Sequence, residues 1–172
     1  MLYVILINLY ILLCEYFTKF IKYIKKENGG LSSVKNLGLS LAKGRYVIYI
    51  DSDDYVSSDM YSTMLKEAID KEADMVYCDV LMVFDKAVKY CSTTNYDTDD
   101  ELMQLLDGSL MAASWNKMVK KELYKDLSFP EKLNNEDVAV TPLLFLRSKK
   151  TLKISSPFYK YVQRAGSIQN SG

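Results

Sequence analysis

Hydrophobic residues along this chain change period several times, and the changes mark its elements. Residues 1–13 are apolar apart from Asn8, and tyrosines and phenylalanines carry that character on toward Ile24. A signal peptide does not fit, because no basic residue precedes the run and no small-residue cleavage site follows it. A membrane span takes about 20 mostly apolar residues, and Glu15, Lys19 and Lys22 arrive too soon. A buried strand or helix is the plainer reading. Had the segment inserted, Lys19, Lys22, Lys25 and Lys26 would hold the remaining chain in the cytoplasm, so association with the inner membrane face stays open.

Residues 21–24 read as a short strand, followed by the turn chemistry of Asn28, Gly29 and Gly30, where positive φ and close backbone approach are allowed. Ser32 or Ser33 can cap a helix whose apolar positions Val34, Leu37, Leu41 and Ala42 recur at helical spacing, with Gly44 as its stop. Residues 46–50 form an unbroken apolar run of strand length, as expected where helices cover both faces of a sheet. A second helix follows from a Ser58 or Asp59 cap through Met64, Leu65, Ala68 and Ile69, and residues 74–81 return as a strand.

Beyond this the signal weakens to a hairpin or loop over residues 82–96 and a short helix over residues 99–106 closed by Gly108. Pro130 marks a turn, and Asn134 or Asn135 can cap a helix over residues 136–147 that tolerates Pro142 in its first two turns. Residues 152–154 and 158–162 read as late strands. The strand and helix alternation predicts an α/β fold with a mostly parallel sheet and flanking helices.

Composition narrows the chemistry. Lysine plus arginine balance aspartate plus glutamate at 22 each, so no overall field attracts nucleic acid or an anionic membrane, and any anion site must be local. No histidine is present, which excludes Ser-His-Asp and Cys-His mechanisms and leaves proton transfer to carboxylates, lysine or tyrosine. Cys14, Cys78 and Cys91 have no metal-ligand spacing and suit reduced thiols in the cytoplasm.

The candidate chemistry lies in Asp51, Ser52, Asp53 and Asp54, directly after the apolar strand. Open parallel sheets bind ligands beyond the carboxyl ends of their strands. Three carboxylates there repel one another unless a cation joins them, and hard oxygen donors suit Mg²⁺ or Mn²⁺ together with substrate phosphates. An Asp-x-Asp alone is more often a solvated or helix-capping turn, a reading its place after the apolar strand weakens, and Glu136 with Asp137 alone reads rather as favourable charge at a helix N-terminus.

These residues also carry a resemblance. Lys26-Glu27-Asn28-Gly29-Gly30-Leu31-Ser32-Ser33-Val34-Lys35-Asn36-Leu37-Gly38, then Ala42-Lys43-Gly44-Arg45-Tyr46, then Asp51-Ser52-Asp53-Asp54-Tyr55 resemble family 2 inverting glycosyltransferases of the GT-A fold. Trp115-Asn116-Lys117, Phe129-Pro130-Glu131, Asn135-Glu136-Asp137 and Tyr159-Lys160-Tyr161 with Arg164, Gly166 and Ser167 resemble the second half of bacterial members. The resemblance implies transfer of a sugar, from a UDP-sugar by preference, to a saccharide or lipid-linked acceptor with inversion. It implies Asp53 and Asp51 at a Mn²⁺ or Mg²⁺ ion, with Asn28, Gly30, Lys35, Asp51, Ser52 and Arg164 around the nucleotide sugar. Asp137 becomes the catalytic base, Glu136 supports it, and Trp115 packs near the acceptor.

Intact relatives begin with a strand, helix and strand that supply an acidic residue for the nucleotide base and an Asp-Gly-Ser turn; ahead of Asn28 neither is found. The expectation is a partial catalytic domain over residues 14–172 behind an apolar segment at 1–13, with donor affinity and turnover impaired. That absence leaves a second reading, a non-catalytic remnant that associates with membranes or with itself. Nucleotidyl transfer on a similar sheet is a third, which the combination of Asn-Gly-Gly, Asp-Ser-Asp-Asp and Glu-Asp disfavours.

Overall fold

The computed structural model describes residues 2–7, 22, 24–93 and 100–164. Seven strands form one sheet in the order β1-β2-β6-β4-β7-β3, with β5 paired to β4. In chain order they are β1 (Leu2–Ile7), β2 (Tyr46–Asp51), β3 (Tyr55–Val56), β4 (Met75–Phe84), β5 (Ala87–Cys91), β6 (Lys117–Lys120) and β7 (Thr151–Val162). Helices α1 (Gly30–Leu41), α2 (Met60–Asp70), α3 (Glu101–Leu106) and α4 (Asp137–Arg147) complete the α/β architecture, with a 3₁₀ turn at Lys121–Tyr124.

The register explains the direction of the sheet. β1 runs parallel to β2, and β4 parallel to β7, while β6 is antiparallel to both β2 and β4. β1, β2, β4 and β7 therefore point the same way and end on one edge. β6 was not expected as a strand, since its four residues, beginning at Lys117, give too short a pattern to read.

Both faces of the sheet are covered, as the apolar run of β2 implies. Val47 and Tyr49 face a core with Leu39 of α1 and Val140, Leu144 and Phe145 of α4. Tyr46, Ile48 and Ile50 face the opposite core with Met60, Met64 and Ala68 of α2. Alternation along one strand sends successive side chains to opposite layers, so a single six-residue strand anchors both.

Several local expectations are corrected. The apolar start supplies a strand, β1, whereas the described residues of the 21–24 segment, Lys22 and Ile24, are exposed and lie outside any strand. The place beside β2 is taken by β1, and the lysines around Ile24 keep that stretch in solvent. Neither serine caps α1: Gly29 is its N-cap, Asn28 Oδ1 accepts from the Gly30 amide at 3.1 Å, and Gly30 takes φ +80. Ser32 instead donates to the Pro130 carbonyl at 2.6 Å. Asp59 is the N-cap of α2 without a side-chain bond, and α4 starts at Asp137 with Glu136 as N-cap. Gly44, read as the stop of α1, lies beyond the actual C-cap, Ala42.

The two late strands are one, broken by a bulge. Cys78 pairs with Ile154 but Val80 pairs with Tyr159, so residues 155–158 loop out opposite Asp79. Pro157, with no amide hydrogen to give the ladder, sits in that bulge. The hairpin expected over residues 82–96 is β4 and β5, and α3 is capped by Asp100, which accepts from the Met103 amide at 3.0 Å.

Beneath β6, Lys117 is 1% exposed and donates to the Met111 and Ala113 carbonyls, each at 2.7 Å, and to Asn116 Oδ1 at 2.8 Å. Three acceptors match the three hydrogens of an ammonium. Burial nevertheless pushes Lys117 down to about 7, with the charge of Asp137 pulling it back up. A lysine whose folded pKa falls below its unfolded value carries its full destabilisation below pH 7, and the cost fades as pH rises toward the unfolded value. Stability measured by urea unfolding should therefore climb between pH 7 and 9, and Lys117→Met should flatten that slope even if it lowers stability throughout.

Candidate active site

The carboxyl end of β2 delivers Asp51, and a tight turn closes behind it through the Asp54 amide to the Asp51 carbonyl at 3.2 Å. Asp51 is half-buried, and burial pushes its carboxyl up to about 6. Lys35 opposes that shift, while the charges of Asp54, Asp137 and Asp53 add to it. Asp51 is thus within electrostatic reach of both the acidic turn and Asp137. Ser52 is half-buried in the turn, and the Asp53 side chain is exposed at its apex.

The second half of β7 holds this turn. The Tyr159 hydroxyl donates to Asp54 Oδ2 at 2.7 Å and accepts from the Asp51 amide at 3.2 Å. Asp54 Oδ1 accepts from the Val162 amide at 2.8 Å. Burial raises the Asp54 carboxyl, and these two donors draw it back. Arg164 donates from its guanidinium to the Asp53 carbonyl at 3.2 Å, which puts its charge beside the turn. The bulge in β7 makes this possible by letting Tyr159 and Val162 meet a loop that a regular strand would miss.

Across from the turn, Lys35 reaches from α1 into a buried set of acceptors. Its ammonium lies 2.7 Å from Glu136 Oε1, 2.7 Å from Asp137 Oδ1 and 2.9 Å from Ser114 Oγ. The Ser114 amide donates to Asp137 Oδ2 at 3.1 Å, so both oxygens of Asp137 are fixed. The rings of Phe129 and Tyr49 flank the ammonium at 5.0 and 5.7 Å. Asn36, one residue on, clamps the Phe129 backbone by giving to its carbonyl at 2.9 Å and taking from its amide at 2.8 Å.

Two expected roles change. Lys35 was expected to face the nucleotide, but it is 1% exposed, turned inward by two carboxylates that would otherwise be buried uncompensated. Trp115 was expected to offer a face to the acceptor. It is 8% exposed and stacks on Tyr159 with 4.2 Å between centroids, with Tyr161 at 5.3 Å, and packs as a core aromatic under the acidic turn. Asn28 and Gly30 form the exposed turn at the start of α1, as expected. Ser114, Tyr159 and Val162 were missed as site residues, and for Ser114 the only sequence signal was its place just before Trp115-Asn116.

Among the described residues no three acidic, histidine or cysteine side chains converge to enclose a metal ion. The donor chemistry still fits a magnesium-like cation. Asp53 is an exposed carboxylate beside Asp51, whose negative charge is held at a cost by its neighbours, and hard cations of this kind commonly take one or two carboxylates with phosphate oxygens completing the shell.

Residues 12–128 match the family model described as glycosyl transferase family 2. The chain belongs to that family. It is 28% identical over 175 residues to glycosyltransferase GlyA of Streptococcus pneumoniae, covering 91% of this chain and 25% of the relative. It is 31% identical over 160 residues to the putative glycosyltransferase EpsH of Bacillus subtilis, covering 86% and 46%. The fold is shared with the crystal structure of S. aureus TarS 1-349 in complex with UDP-GlcNAc, at TM-score 0.70 and 21% identity, over 87% of this chain and 43% of that one. The chain spans about a quarter to half of the length of these proteins. This membership favours the transferase reading over a non-catalytic remnant.

Replacing Lys35 by methionine strands two buried carboxylates, and breaking a buried ion pair from one side costs about 3–5 kcal/mol. Chemical unfolding of Lys35→Met should show a loss of that order. Adding Glu136→Gln and Asp137→Asn to it should recover part, because the cost comes from the anions left behind.

Proposed function

We propose that this chain acts in the transfer of a sugar from a nucleotide-diphosphate donor to a hydroxyl group of a saccharide or lipid-linked acceptor, with inversion at the anomeric carbon. The observation that carries the reading is that Asp51 lies within electrostatic reach of Asp53, Asp54, Lys35 and Asp137, with Lys35 bonded to Asp137, which supports a phosphate-and-cation site and a candidate base in one region. The UDP-GlcNAc bound by S. aureus TarS supports a UDP-sugar as donor.

In this reading Asp53 and Asp51 hold Mn²⁺ or Mg²⁺, which when bound neutralises the diphosphate. Arg164 adds a guanidinium beside the same turn, suited to the charge that grows on a departing phosphate. Asn28 and Gly30, with Ser52, line the nucleotide side. Asp137 accepts the proton of the acceptor hydroxyl as its oxygen bonds to the anomeric carbon and the bond from that carbon to the diphosphate breaks. Lys35 and the Ser114 amide hold the carboxylate in one orientation, and Glu136 shares the ammonium. Each Asp137 oxygen keeps a further lone pair, and the side chain is 16% exposed, enough for an acceptor oxygen to approach. We place the protein in the cytoplasm, where free thiols such as Cys78 and Cys91 persist.

Isothermal titration with UDP should give heat only when Mn²⁺ is present, and Asp53→Ala should abolish it. A parent chain that takes up no UDP in the presence of Mn²⁺ would sink the proposal. Asp137→Asn should keep UDP binding and lower sugar transfer by about 10²- to 10⁴-fold, the usual contribution of a positioned base.

A further inference from the structure

The chain is neutral overall, yet its charges are sorted by end. The carboxylates gather where β2 and α4 begin the site. At the opposite end of the sheet, Lys43 and Arg45 precede β2, Lys125 follows the 3₁₀ turn, Arg147 ends α4, and Lys149 and Lys150 lie between α4 and β7. Backbone bonds join these segments into one surface. The Lys121 amide donates to the Arg45 carbonyl at 2.9 Å, the Asp74 amide to the Lys150 carbonyl at 2.8 Å, and the Arg147 guanidinium to the Leu123 carbonyl at 2.9 Å. All six basic side chains are exposed, and among the described residues none forms an ion pair. The exposed acidic residues at that end are Asp70, Glu72, Glu122 and Asp126, and Asp70 is paired with Lys66.

Apolar surface accompanies this charge. α4 carries no polar residue but Thr141 between Asp137 and Arg147, and its last two turns leave Leu143 40% and Leu146 63% exposed beside Arg147. Next to Lys121 and Lys125 a cavity of about 680 Å³ opens, with Leu39, Tyr124 and Leu127 in its lining. The hollow is mostly apolar, with Lys121, Lys125 and Glu122 among its polar lining. Cations alone would serve a nucleic-acid backbone as well, but exposed leucines beside them match acyl chains below anionic headgroups.

We infer that this basic end of the molecule docks on an anionic phospholipid bilayer, with Leu143 and Leu146 dipping below the headgroups. The docking surface lies on the end away from the acidic turn and does not depend on the sugar-transfer reading. Each lysine near an anionic surface strengthens binding about fivefold.

The whole chain should be sedimented with phosphatidylcholine vesicles with and without phosphatidylglycerol, at low and high salt. Binding should require phosphatidylglycerol and weaken with salt. Lys125→Gln with Lys149→Gln and Lys150→Gln should weaken it by roughly a hundredfold, and Leu146→Ser should weaken it with the salt dependence retained. These side chains are exposed, so circular dichroism of each variant should match the parent, and Mn²⁺-dependent UDP titration of the variants reads the other site separately. Equal binding to neutral vesicles, unchanged binding by the triple variant, or displacement of the vesicles by an RNA oligonucleotide of matching affinity would each overturn the proposal.

Discussion

A single ammonium ion, that of Lys35, sits where the two halves of this molecule meet. Glu136 and Asp137 arrive at the start of α4 more than a hundred residues after Lys35 has left the turn of α1, and both carboxylates end up on the same nitrogen. Charges taken out of water are tolerated only when paired and hydrogen-bonded. The start of α4 is therefore not free to shift relative to α1, and Asp137 inherits its position from that constraint. Ser32 and Asn36, on the same face of α1, repeat the tie through Pro130 and Phe129.

The same economy governs the acidic turn. Its charges are opposed by few cations, and what stabilises it is neutral: a tyrosine hydroxyl, a backbone amide and the plane of Trp115 beneath. A site held mostly by dipoles leaves Asp51 and Asp53 short of positive charge, with Lys35 and Arg164 the cations beside them, until a ligand brings more. Preorganised but unsatisfied charge of this kind is typical of sites that bind something.

Much of this could be read from the sequence where a pattern repeats within a few residues. β2 and α2 followed from period, the β4–β5 hairpin only as a hairpin or loop, and Gly30 from turn chemistry. Asp51 and Asp53 stood out because carboxylates cluster next to an apolar strand, and Glu136 and Asp137 through the family resemblance. What could not be read depends on contacts distant in sequence. β6 is only four residues long, Lys35 looks like any helical lysine until its partners are known, and Trp115 reads equally as a ligand platform or a core ring. The serines near α1 were plausible caps by type, but Asn28 and Gly29 reach the helix end first, which frees Ser32 for Pro130. The bulge in β7 is hinted at by Pro157 alone.

That bulge has a consequence for how the molecule is made. The loop carrying Asp51 to Asp54 leaves the ribosome early, but its fasteners, Tyr159 and Val162, are separated from it by 105 to 108 positions. N-terminal parts fold first during synthesis, so until β7 has emerged the acidic loop has only its own short turn to shape it. The acidic site is completed by β7, and a nascent chain halted before Pro157 would carry the acidic residues without a formed site.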